Sequence, residues 1–106
     1  MRKDTFYRCV KDDEKIIVAA KTTGYSDGDI GLHKEQGFWV ATHIPTGTRL
    51  TPKHLRNKTA KTALTEAKRL ISEKPDFDQY VQKYMDGDIY DAFQKSKYNQ
   101  TVTGVF

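Results

Sequence analysis

The clearest alternation in the chain runs through Phe38-Trp39-Val40-Ala41-Thr42-His43-Ile44, and its period of two predicts a β-strand. Phe38, Val40 and Ile44 fall on one face of that strand, and Trp39, Ala41 and His43 on the other. Two earlier segments, residues 5–11 and 14–22, are rich in β-formers, the second through Ile16-Ile17-Val18-Ala19-Ala20. Between them Lys11-Asp12-Asp13-Glu14 suits a tight hairpin connection. The run Thr23-Gly24-Tyr25-Ser26-Asp27-Gly28-Asp29 is dense in turn residues and predicts an exposed loop. A short strand over 30–34 and a turn at Gln36-Gly37 complete the approach to Phe38. Beyond Ile44, Pro45-Thr46-Gly47-Thr48 is a turn, from which residues 48–51 return as a short antiparallel strand that Pro52 ends.

From residue 57 the period changes. Ala60, Ala63, Leu64, Ala67, Leu70 and Ile71 recur at helical spacing, with Asn57 or Thr59 as the cap and Pro75 limiting the end. A second stripe of Phe77, Tyr80, Val81, Tyr84 and Met85 begins near Asp76 and stops at Gly87. Asp88 can cap a third, short helix carrying Ile89, Ala92 and Phe93. Strands followed by helices predict an α+β fold: an antiparallel β-meander of three to five strands in the N-terminal half, packed against two or three C-terminal α-helices. One domain is expected over residues 1–106, made of a sheet half (1–51), a helical half (57–96) and a tail (97–106). The end of that tail is apolar enough to dock on a sheet edge or groove, or it frays.

Composition adds limits. With 106 residues, 37% hydrophobic and 11% aromatic, the chain can bury a small core, and wholesale disorder is not expected. No apolar run approaches the roughly 20 residues that span a bilayer, so no membrane association is expected. The N-terminal segment lacks the apolar stretch of a signal peptide, and the single Cys9 cannot form an internal disulfide. These features lead us to expect a cytoplasmic protein. Several strands without obvious edge protection leave room for a homodimer.

The net charge of +4 is unevenly spread. Residues 1–35 balance to zero, residues 66–106 to −1, and residues 36–65 carry five cations (Arg49, Lys53, Arg56, Lys58 and Lys61) with no acid. A basic field of this kind attracts polyanions; the plain alternative is a solvated loop that lacks acids. The polar side of the helix over residues 59–74, with Lys58, Lys61, Thr65, Lys68 and Arg69, suits phosphate contacts or an acidic partner, and equally simple solvation.

Catalytic and metal chemistry find little support. The glycines fit no phosphate-binding loop, the serines lack a nucleophile-elbow context, and Cys9 lies mid-strand, where a small buried hydrophobe is the usual role. His33, His43, His54 and Cys9 lack the paired spacing of a zinc site, and neither Asp27/Asp29 nor Asp86-Gly87-Asp88-Ile89-Tyr90-Asp91 supplies a calcium loop. No enzyme activity, metal or cofactor is therefore expected. Trp39 has two readings. If Phe38, Val40 and Ile44 face the helices, Trp39 and His43 share an open sheet face with Tyr7 and His33, where bases could stack beside the basic segment. If a helix covers that face instead, Trp39 is a core anchor.

The aromatic strand from Phe38, the Pro45-Thr46-Gly47 turn and the Lys58-Thr59-Ala60-Lys61-Thr62-Ala63 helix start resemble small phage and mobile-element proteins of Gram-positive bacteria. Over residues 38–72 the order of strands and helix also resembles the three-stranded DNA-binding domains of integrase arms and AP2-like proteins, in which the sheet enters the major groove. The chain departs from those domains by continuing for more than thirty residues beyond the helix. Together with the charge asymmetry and the strand alternation, the resemblance leads us to expect a small non-enzymatic protein that binds nucleic acid through Trp39, His43, Arg49, Lys53, Arg56, Lys58 and Lys61. The alternative is a protein-interaction module that blocks a host defence nuclease, of anti-CRISPR or anti-restriction type, with the same surface. A net positive charge argues against DNA mimicry in that role.

Overall fold

Each turn in the N-terminal half carries the chemistry that its backbone needs. In the computed structural model, which describes residues 1–52 and 55–103, five strands follow one another as an antiparallel meander in the order β1-β2-β3-β4-β5. They are β1 (Arg2–Lys11), β2 (Ile17–Asp27), β3 (Ile30–Glu35), β4 (Phe38–His43) and β5 (Thr48–Arg49). The Asp12 carboxylate closes the first connection by accepting the Glu14 and Ile16 amides at 2.9 and 3.0 Å. Gln36 and Gly37 both take positive φ, 51° and 86°, the backbone that a two-residue hairpin turn requires. Three helices follow, α1 (Ala60–Ser72), α2 (Phe77–Met85) and α3 (Asp88–Thr103), so the architecture is α+β.

The segment expected to be a loop at residues 23–29 is mostly strand. Thr23 to Asp27 continue β2, with Thr5 opposite Thr23 on one side and Leu32 opposite Tyr25 on the other. Pairing on both flanks overrides weak local β-propensity, and the turn shrinks to Gly28 and Asp29. Gly24 has a role that a turn reading misses. A Cβ there would stand 2.0 Å from the Leu32 carbonyl oxygen, so the close passage of β2 beside β3 needs a glycine.

Strand register sorts the side chains into two faces, because cross-strand partners point the same way. Leu32 opposite Ala41 and Ile30 opposite His43 place the Trp39, Ala41 and His43 side on the face that α1 covers. Ala63 and Ala67 of α1 are fully buried against Ile30, Leu32 and Ala41, with Tyr25, Trp39, Leu64 and Ile71 packed around them. Two alanines one turn apart let the helix come close to the sheet. Of the two readings of Trp39, the structure therefore has the covered one, and it is Phe38 and Val40 that lie on the face away from the helices. Thr59 caps α1 as expected, its hydroxyl accepting the Thr62 amide at 3.1 Å.

Phe6, Thr22, His33, Val40 and Thr42 share that second face and are nonetheless buried. The reason is curvature: the sheet curls until its edges meet, and the Cys9 amide of β1 donates to the Gly47 carbonyl beyond β4 at 2.8 Å. Inside the curl the Phe6 ring lies directly on Gly31, where a Cβ would sit 2.7 Å from the ring. The first half of β2 pairs with β1 on one side but runs past the end of β3 and so lacks a strand partner on the other. Side chains of α3 take that place: Ser96 accepts the Ala19 amide at 2.9 Å, and Gln100 donates to the Ala19 carbonyl at 2.6 Å. The third helix is thus longer than expected, taking in residues 97–103 of the anticipated tail; residues 104–106 lie outside the described residues. Among the described residues no helix is long and apolar enough to cross a membrane.

Gly31→Ala forces the Phe6 ring out of its position in the curl. The expected cost is about 1–3 kcal/mol, the usual range for overpacking a filled core, read as a lower urea midpoint at unchanged slope. An unaltered midpoint would show that Phe6 does not pack as described.

Candidate nucleic-acid interface

Alternation along β1, β3 and β5 brings Arg8, Glu35 and Arg49 onto the inner, helix-free face of the curled sheet. Glu35 is the hub. Its carboxylate lies 3.7 Å from Arg8, 3.9 Å from Arg49 and 3.3 Å from the His33 Nε2. Both arginine distances exceed a hydrogen bond, so one carboxylate balances two guanidiniums loosely. Each guanidinium is oriented by its Nε–H instead: Arg8 donates to the Thr22 hydroxyl at 2.8 Å, and Arg49 to the Thr51 carbonyl at 2.7 Å. Their terminal nitrogens are thereby aimed without being saturated.

A third guanidinium arrives from the connection to α1. Arg56 lies 5.6 Å over the Phe38 ring, a cation–π contact that holds it at the same end of the sheet. Glu35, Phe38, Val40, Arg49, Leu55 and Arg56 enclose an open cavity of about 500 Å³. Its lining thus holds two arginines and one carboxylate, with Arg8 reaching that carboxylate from β1. Such an arrangement can take an anion by bidentate guanidinium contacts, a geometry suited to phosphate.

The expected residues are divided by the fold. Arg49 and Arg56 converge on the cavity. Lys58 and Lys61 follow Arg56 at the start of α1 and are exposed; Asn57, between them and Arg56, anchors the segment by accepting the Trp39 amide at 2.8 Å. Lys53 lies outside the described residues. Trp39 and His43 are on the opposite face. Trp39 leans on Tyr25 at 5.9 Å within the α1 core, and His43 is buried, its Nδ1 2.8 Å from the Thr46 hydroxyl and its ring edge-on to Phe77 of α2. His43 is buried, and Trp39 is partly buried against the α1 core. Farther along α1, Lys68 pairs with Asp27 at 3.8 Å, and Arg69 is clamped between Glu66 and Glu73, so the end of that helix adds little attraction for an anion. Among the described residues no three His, Cys, Asp or Glu side chains gather as metal ligands.

Arg8 and Glu35 are not marked by the sequence, because the charges of residues 1–35 cancel overall; His33, expected beside Trp39 and His43, lies on the other face, opposite Val40. His33 sits 5% exposed behind the cluster, edge-on to Phe6, and its Nδ1 has no hydrogen-bond partner. Burial, followed by the positive charge of Arg8, pushes its pKa below the ordinary 6.5 against the opposing pull of Glu35. The imidazole is therefore neutral at pH 7. Because a carboxylate only accepts, Nε2 carries the proton toward Glu35 and Nδ1 keeps a bare lone pair. Burial lowers the His43 pKa as well. No protein-family model, curated protein or solved structure matches the chain, so the reading of this site rests on its own geometry.

Both depressed histidines bind a proton more readily in the unfolded chain than in the folded one. Stability is then fully present above pH 6.5 and is lost as the pH falls below it, through the folded-state values. The carboxyls of Asp4 and Glu66, also depressed, act only below their ordinary values of 3.8 and 4.5. Urea unfolding between pH 7.5 and 5 should show this decline, and His33→Gln should flatten part of it. Stability that rose on acidification through this window would contradict the assignment.

Proposed function

We propose that the protein is a non-enzymatic nucleic-acid binder that grips the phosphate backbone, with Arg49 and Arg56 at the centre of the contact and Arg8, Lys58 and Lys61 around them. The observation that carries this reading is the convergence of Arg8, Arg49 and Arg56, from three separate segments, around a single carboxylate. In the DNA-binding domains that residues 38–72 resemble, the sheet supplies the binding surface. Here the sheet's helix-free side carries the arginines. The reading differs from a stacking platform: with Trp39 and His43 on the covered face, affinity comes from charge, and sequence preference is weak.

Phosphate contacts release counterions, so affinity should fall linearly in log–log salt, each neutralised phosphate of duplex DNA contributing about −0.9 to the slope. Arg49→Ala/Arg56→Ala/Lys58→Ala/Lys61→Ala should weaken binding to duplex DNA, single-stranded DNA and RNA. It should also make the duplex slope shallower by about 0.9 for each cation that touched a phosphate. Fluorescence anisotropy with labelled oligonucleotides at several salt concentrations reads both effects. A variant that bound as tightly as the parent, with the same slope, would overturn the proposal.

A further inference from the structure

A second cavity lies on the other side of β5, between the β4–β5 turn, α1 and α2, and holds about 320 Å³. That is the lower end of the roughly 300–1,000 Å³ usual for small-molecule sites. Leu50, Ile71, Phe77 and Val81 supply an apolar wall, while Arg49 and Lys74 stand among the lining residues, which include no carboxylate. Lys74 is held in place by the Tyr80 ring, over which its Nζ sits at 3.9 Å.

The helix that roofs this cavity is the independent sign that something fills it. The sequence of α2 carries a full apolar stripe, Phe77, Tyr80, Val81, Tyr84 and Met85, yet no residue of α2 is fully buried and Tyr80 is 57% exposed. An amphipathic helix ordinarily spends such a stripe on a core. Here the stripe borders open volume, and the charged groups among the lining residues are cationic.

We infer that this cavity binds a small apolar monocarboxylate, its hydrocarbon body between α1 and α2 and its carboxylate at Lys74. An apolar body matches the walls, and a single negative charge matches Lys74; the Arg49 guanidinium is engaged with Glu35 and Thr51. A neutral molecule of equal size makes no ion pair with Lys74, and a cationic one meets like charge. The inference is separate from the nucleic-acid reading: Lys74 and Val81 belong to no part of that surface, and its test contains no nucleic acid.

The test titrates the isotope-labelled protein with decanoate, decanol and decylammonium, each below its micelle concentration, and follows the Leu50, Ile71 and Val81 methyl signals by NMR. Decanoate should bind saturably with shifts centred on those methyls. Decanol should bind at least about fivefold more weakly, the effect of one modest ion pair, and decylammonium more weakly still. Lys74→Gln should shrink the preference for acid over alcohol, and Val81→Trp, which fills the cavity while preserving α2, should abolish binding of all three. Equal affinities for the three probes, binding that survives Val81→Trp in a folded protein, or no saturable shift with decanoate would each overturn the inference.

Discussion

The hydrogen bond from the Cys9 amide to the Gly47 carbonyl is the constraint on which most of this structure turns. To make it, a five-stranded meander must curl far enough for its first strand to reach the end of its fourth. That curl buries a face that no helix covers, and it explains why a row containing Thr22, His33 and Thr42 is inaccessible alongside Phe6 and Val40. It also demands small residues at the points of closest approach. Gly31 lies under the Phe6 ring, and Gly47, at a φ of 70°, fits between the Phe93 ring and the Cys9 amide with no space for a Cβ. Phe93, 1% exposed, thereby ties α3 to the closure.

The same curl assembles the charge. Arg8 is distant in sequence from Glu35 and Arg49, and only the closing of the sheet brings the three to one end of its inner side. A single carboxylate then stands against two guanidiniums at 3.7 and 3.9 Å, with Arg56 nearby. A tight Arg–Glu pair would have quenched its own field; these distances leave the cluster attractive to an incoming anion. On the opposite face the alanines of α1 bring the helix down over Trp39, which commits the only tryptophan to packing. Trp39 and the arginine cluster thus lie on opposite sides of one sheet, and Phe38, under Arg56, is the aromatic ring that lines the arginine cavity.

What the sequence revealed follows the range of the interactions involved. The β4 strand, its flanking turns and all three helical stripes depend on neighbours within a turn or two, and they were legible. Residues 23–27 do not read as strand locally because they hold strand geometry through cross-strand partners, which local propensity does not report: Thr23 and Gly24 on β1, Tyr25 and Ser26 on both β1 and β3, and Asp27 on β3. The faces of β4 resisted assignment because Val40 and Ala41 are both buried, and only the small size of Ala63 and Ala67 decides which side a helix can approach. Arg49, Arg56, Lys58 and Lys61 stood out as a run of cations without acids. Arg8 and Glu35 did not, and His33 was assigned to the wrong face, since their grouping is a product of strand register and closure. A signal was available for Arg8, which alternates onto the same face as Phe6, but its use requires knowing that the face turns inward.

Side-chain NMR during an oligonucleotide titration addresses the central claim most directly, since it observes the arginines and the tryptophan in one experiment. The account predicts that the Nε–Hε signals of Arg49 and Arg56 move progressively on addition of duplex DNA and return when salt is raised. The indole Nε1–H signal of Trp39 should stay in place throughout. Movement of the Trp39 signal with the Arg49 and Arg56 signals unchanged would contradict it and put the binding surface on the helical side of the sheet.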